Sequence, residues 1–410
     1  ETSNIDRYAV AKRTLPSSLY QSAFDSSSNN IFVTRRSAEG LYSIYRLDAT
    51  TLDVKAKTDI YEGYAADGIA LDNKNQVWAT NFETGTVSVY RQSDLTHVKT
   101  FSKAPIRGAT SVVVDEKANL AYVAGEGNEI SILDMNADED GTGVIGTVKL
   151  DGFEKVASLS LDKQTNQLIA TSGDSADPQV AKVNLADGKK VERFTVKGAE
   201  TVLGATYDPA SKNIFVGTGG GEVSVVSTET KKVVPTIPTG AGTLDVRYNP
   251  TDKRVYVVNH DAGTLTVVDP VTNKVVSNLA VGDEPSHLSI APNGTVAVVN
   301  NAFKDSGVDQ HVDEIYTFKY NAPTPPPQPK PSTSESSTTQ KPTEKPKPSE
   351  DPKPKPPTGS QDLSSKLGKY RTILVAIFSV LGLTGIIAGA VAAMAHANMI
   401  PKEWLPPQFR

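Results

Sequence analysis

The chain has 410 residues, 42 Lys plus Arg, 47 Asp plus Glu and no cysteine, which excludes disulfides, thiol nucleophiles and cysteine-held metals. Residues 1–320 hold 31 basic and 41 acidic side chains, a net of −10, while the remaining 90 hold 11 and 6, a net of +5. An acidic body with no basic stripe in its sequence argues against nucleic-acid binding.

The first residue is Glu1 and not Met, which fits a removed export signal. Ile5 to Leu15 reads as one strand, with Ile5, Tyr8, Val10 and Leu15 set among charges. A four-strand unit then repeats. Its plainest copy is Val246 to Val281, where runs of four to six β-branched and aromatic residues are separated by Asn, Asp, Gly and Pro. The first strand, closed by a polar residue, recurs at Ser22–Asp25, Ile69–Asp72, Val112–Asp115, Leu159–Asp162 and Ala205–Asp208, then at Val246–Asn249 and Leu288–Ala291. Neighbouring copies lie about 41 to 47 residues apart, the period of a propeller blade.

Seven copies predict an all-β fold over residues 1–320, a seven-bladed β-propeller. The last copy has three strands, ending at Glu314–Tyr320. A ring that borrows its final strand from the other terminus leaves no open edge there, so Ile5–Leu15 is expected as that outer strand.

Residues 321–365 form a linker in which Pro alternates with Lys, Ser, Thr and Glu; half of the 26 prolines lie between Ala322 and Ser360. Such a segment cannot bury a core and is expected to be disordered, spanning up to ~120 Å when extended. Ile373 to Ala397 carries no Asp, Glu, Lys or Arg. That length matches a bilayer core and predicts one transmembrane helix within residues 366–400, followed by a short tail, 401–410. Gly382, Gly385, Gly389 and Ala393 line one face of it, where a second helix can approach closely. The expected placement is a single pass through the plasma membrane with the propeller outside.

Arg254 to Val281 resembles the YVTN family of β-propeller repeats. Val255-Tyr256-Val257-Val258-Asn259 stands where that family has its signature; Gly263–Asp269 matches its following strand, and Val281-Gly282-Asp283-Glu284-Pro285 its exit. Val77–Asn81 and Val296–Asn300 match in part. The resemblance implies the propeller fold and extracytoplasmic work, and it is similar in outline to lactonase-like propellers and propeller subunits of quinoprotein dehydrogenases. It implies no particular activity.

In a propeller, the loops joining second to third strands and those joining blades gather at one axial mouth. The expected binding residues there are Arg35, Asn81, Arg107, Glu126, His260, His287 and Asn300. His260, His287 and Arg107 are the candidates for acid–base work or, for the histidines, a shared metal; solvated loop side chains are the competing reading. Asn136, Asp138 and Asp140 alternate as in a short calcium loop, but the distal glutamate is missing, since the twelfth position is Thr147. No other cofactor is expected.

These features favour a non-enzymatic binding or scaffold subunit of a cell-envelope membrane complex. Its partner would be an integral membrane or envelope protein met through the helix and a propeller face, with envelope lipid or polymer export as one host. A lactonase-like hydrolase or oxidoreductase subunit working at the axial mouth is the competing class, and a wall-ligand binding module the third.

Overall fold

The computed structural model describes residues 7–16, 18–25, 27–36, 42–60, 66–139, 142–302 and 312–321. The expected linker and transmembrane helix, with Gly382, Gly385, Gly389 and Ala393, lie outside them, as does Asp140. Among the described residues no helix is long and apolar enough to cross a membrane.

Seven four-stranded antiparallel sheets form seven blades. The inner strands of blades 1 to 7 are Leu19–Asp25, Ile69–Leu71, Ser111–Asp115, Ser158–Asp162, Ala205–Asp208, Thr243–Asn249 and Pro285–Ile290. Blade 7 takes its outer strand from the N-terminal end. Tyr8–Pro16 pairs antiparallel with Val312–Tyr320 from Tyr8↔Tyr320 to Pro16↔Val312, a ladder two residues longer than any inner strand. The closing strand thus starts and ends slightly later than the Ile5–Leu15 pattern suggests.

There is no single central core. One hydrophobic cluster fills each boundary between neighbouring blades, including that between blades 7 and 1, where Leu15, Leu19, Ile31, Val299 and Ile315 meet. Each blade is buried on both faces, which explains why the second strands read as near-continuous runs such as Val255–Val258, all fully buried.

In blades 1 to 6 a polar residue closes the inner strand and shapes the turn that follows. Asp72 Oδ1 accepts from the Lys74 and Gln76 amides at 2.8 and 2.9 Å, Asp208 from Ala210 at 3.1 Å, and Asn249 from Thr251 at 3.1 Å. The same turns then place one residue in the left-handed region: Asn29, Asn75, Asn119, Asn166, Lys212, Lys253 and Gly294, one per blade. Asn and Gly are the residues that adopt this backbone most readily. These turns lie on what is here called the lower face. The chain enters at Arg7 and leaves at Asn321 on that face, the two joined by an Asn321 N–H to Arg7 carbonyl bond of 2.8 Å.

Candidate functional site at the upper axial mouth

The inner strands are not equivalent near the upper face. In blades 1, 6 and 7 the pairing with the second strand slips, between Leu19 and Ser22, Thr243 and Asp245, and Pro285 and His287. Blades 2 to 5 pair there without a slip. A bulge bends its strand and re-aims a side chain. These three consecutive blades deliver Gln21, Asp245 and His287 to one axial cavity, also lined by Arg247, Ser111 and Ser158.

Polar side chains lace this cavity across blades. Gln21 of blade 1 accepts from the Ile69 amide of blade 2 and donates to the Thr110 carbonyl at the entry to blade 3, both at 3.3 Å. Arg247 of blade 6 reaches past blade 5 to donate to the Leu159 carbonyl of blade 4 at 3.1 Å, and its Nε lies 3.4 Å from Asp245 Oδ1. Asp245 accepts from the Val246 and Leu288 amides, each at 3.0 Å. Gly204 stands opposite; a Cβ there would lie 2.7 Å from the Asp245 Cα, so the close approach of blades 5 and 6 requires glycine.

His287 Nδ1 accepts from the Ser22 amide at 3.3 Å, so the neutral ring carries its proton on Nε2, 3.9 Å from Asp245 Oδ2. Burial pushes this imidazole down to about 4; the Asp245 charge opposes the shift and Arg247 reinforces it. The ring is therefore neutral at neutral pH. Among the described residues no hydroxyl is hydrogen-bonded to either nitrogen of His287. The cavity measures about 60 Å³, well below the ~300 Å³ at which small-molecule sites begin. It has room for a few ordered waters or a small ion.

The other residues expected at the mouth fall into separate environments. His260 is fully buried in the turn after the second strand of blade 6, with Nδ1 2.8 Å from Asp261 Oδ1 and, among the described residues, no hydrogen-bond partner at Nε2. Asn81 and Asn300 are buried structural staples. The Asn81 side-chain oxygen accepts from the Glu83 and Thr84 amides at 2.9 and 3.1 Å, and Asn300 Nδ2 donates to the Val281 and Asp283 carbonyls at 2.8 and 2.6 Å. Asn259 donates to Thr264 and Thr266 hydroxyls at 3.0 and 2.8 Å in the same way. The signature asparagines thus tie their blade to the incoming connection or close the following turn. Arg107 and Glu126 are exposed on the upper face and approach to 3.7 Å; Lys155 and Asp174 form a second ion pair there. Arg35 is half-buried at the end of the second strand of blade 1.

Among the described residues no group of three or more His, Asp or Glu side chains is placed to hold a metal ion. In the expected calcium loop, Lys74 Nζ donates to the Asn136 side-chain oxygen, and Lys99 Nζ donates to the Met135 and Ala137 carbonyls at 2.8 and 2.7 Å. Asp138 is exposed. Lysine ammonium groups thus take up oxygens of this loop.

Gln21, Asp245 and Arg247 were not among the residues expected from the sequence. Their signal is a charge or amide inside an innermost strand, as in Leu244-Asp245-Val246-Arg247, where spacing by two puts both charges on one side. Compared with known proteins, the chain matches no protein-family model and no curated protein. The class that can be stated is its architecture, a seven-bladed β-propeller.

Proposed function

We propose that this chain is a YVTN-like, membrane-anchored, extracytoplasmic propeller that serves as a protein-binding or scaffold subunit of a cell-envelope membrane complex. One observation supports this reading above others: among the described residues the axis, where a propeller enzyme would hold its substrate, is spanned by Gln21 and Arg247, and the cavity they line with His287 measures about 60 Å³. What such a body offers a partner is its broad faces and rim. The uncharged run from Ile373 to Ala397, with small residues at Gly382, Gly385, Gly389 and Ala393, supports an anchor that also pairs with another helix. Envelope lipid or polymer export remains the proposed host.

Purification of the full chain in mild detergent, with mass identification of what accompanies it, tests this reading. A stable membrane partner is expected, lost on Gly385→Leu and Gly389→Leu. Recovery of the chain alone at monomer mass, with both leucines tolerated, would overturn it.

The competing reading, a hydrolase or oxidoreductase subunit, draws on the three bulges and on the depressed imidazole of His287, both features that gather at active sites. It would replace the scaffold reading if His287→Gln abolished the cellular phenotype while partner capture persisted.

A further inference from the structure

The lower face is electrically divided. On the turns of blades 1 to 3 it carries Asp53, Asp94, Glu116, Asp138 and Glu139 against Lys74, Lys117 and Arg91, the last paired with Asp94. On blades 4 to 6 the balance reverses. Lys189, Lys190, Lys231, Lys232, Lys253 and Lys274 are all exposed there, at the turns joining first to second and third to fourth strands. None of the six lies within 4.0 Å of a carboxylate among the described residues. Most carboxylates on the same turns are engaged elsewhere: Asp162, Asp208 and Asp269 cap their own turns, Asp252 is bound by the Tyr256 hydroxyl, and Glu229 pairs with Lys212; Asp187, exposed beside Lys189 and Lys190, offsets part of their charge without pairing with either.

The backbone at these lysines is unusual. Lys189, Lys212, Lys231 and Lys253 all sit at φ near +60°, the left-handed region. Blades 1 to 4 fill the corresponding first turn with Asn29, Asn75, Asn119 and Asn166, whereas blades 5 and 6 use Lys212 and Lys253. Asparagine can stabilise that backbone through its own short polar side chain, and lysine cannot. What lysine adds at a strained position is a positive charge held out on a long stem.

The exit of the chain adjoins this half of the face. The Arg254 guanidinium, next to Lys253, stacks 4.8 Å over the ring of Tyr320, one residue before Asn321. The 89 residues that follow contain the uncharged run Ile373–Ala397.

We propose that the lysine half of the lower face docks on anionic phospholipid headgroups of the membrane that holds the chain's C-terminal segment, with the acidic half tilted away. This rests on the membrane-anchored reading above. Juxtamembrane lysines are attracted by the negative surface potential of such a leaflet over roughly a Debye length, about 8 Å at physiological salt. A tether supplies the high effective concentration that lets a weak, salt-sensitive contact persist.

The test reconstitutes the full chain in vesicles of phosphatidylcholine alone, or with about 30 % phosphatidylglycerol, and measures acylation of each lysine by mass spectrometry. Lys189, Lys231, Lys232 and Lys253 should react several-fold more slowly with the anionic lipid, while Lys74 and Lys117 are unchanged. The protection should vanish at about 1 M salt, where the Debye length is ~3 Å. A variant carrying Lys189→Glu, Lys231→Glu, Lys232→Glu and Lys253→Glu should remain in the membrane fraction and lose the lipid dependence. Equal labelling in both vesicles, with the chain still membrane-bound, would overturn docking and leave anchoring intact. A chain washed off both vesicles by salt would overturn anchoring; anionic vesicles added back must then still protect the four lysines, or docking fails as well. Protection in both vesicles together with a dimeric mass would assign the face to a second copy and overturn the lipid proposal.

Discussion

The hydroxyl of Tyr8 lies 3.2 Å from that of Tyr256. Tyr8 belongs to the strand that completes blade 7, and Tyr256 to the second strand of blade 6, so this contact ties the closing strand to the neighbouring sheet. The Tyr256 hydroxyl in turn donates to Asp252, whose carboxyl burial pushes above the usual carboxylate range. Tyr8→Phe removes one hydrogen bond and should cost about 1 kcal/mol. Tyr256→Phe also strands a buried acceptor and should cost about 1–3 kcal/mol. Urea unfolding of both variants gives the comparison; an equal, negligible effect would show that the latch contributes nothing beyond the backbone ladder from Tyr8 to Pro16.

Asp245 is the hub of the axial network. Asp245→Ala removes the acceptor for the Leu288 and Val246 amides and leaves Arg247 without its carboxylate. Because removing one partner strands a partly buried charge, a loss of about 3 kcal/mol is expected from the urea midpoint. Arg247→Met keeps the volume, loses the reach to the Leu159 carbonyl, and should cost less.

The seven-fold repeat is legible because each blade restates the same local rules. In six of the seven blades a polar residue closes the inner strand; in all seven a left-handed residue follows and an apolar second strand comes next, so even the borrowed outer strand could be located from the blade that lacks one. The mouth is less legible. Loop side chains were assigned to it by topology, yet Asn81 and Asn300 spend their amides on backbone groups of their own turn or connection. The residues that do meet at the axis are placed by bulges in three inner strands, and a one-residue slip leaves no mark in a period-two pattern this short. The lysine face was equally hidden. Its members are scattered from Lys189 to Lys274, and the body's net of −10 conceals them.

His287 makes stability depend on acid. Its ordinary value is 6.5 and burial holds it at about 4 in the folded protein. As pH falls below 6.5 the unfolded chain takes up the proton first, so this residue's contribution is fully present above that value and is lost progressively down to about pH 4. The shift corresponds to about 3 kcal/mol over that window. The wild-type unfolding free energy should therefore fall more steeply between these limits than that of His287→Gln. Parallel curves for the two proteins would show that the imidazole titrates normally in the fold.

Lys99 behaves as the resident cation of the 134–139 loop. Its ammonium group is shared by the Met135 and Ala137 carbonyls and stacks 5.7 and 5.3 Å from the Trp78 and Phe101 ring centroids, while burial lowers its pKa. A fixed positive charge beside those carbonyls repels a divalent ion. Added calcium should consequently leave the melting temperature of the wild type within about 1 °C, a stability change well below 1 kcal/mol. Lys99→Met should cost about 1–3 kcal/mol, because two carbonyls lose a charged donor. Calcium that raises the melting temperature of the wild type by several degrees would show that Asn136 and Asp138 serve a metal after all, and that Lys99 gives way to it.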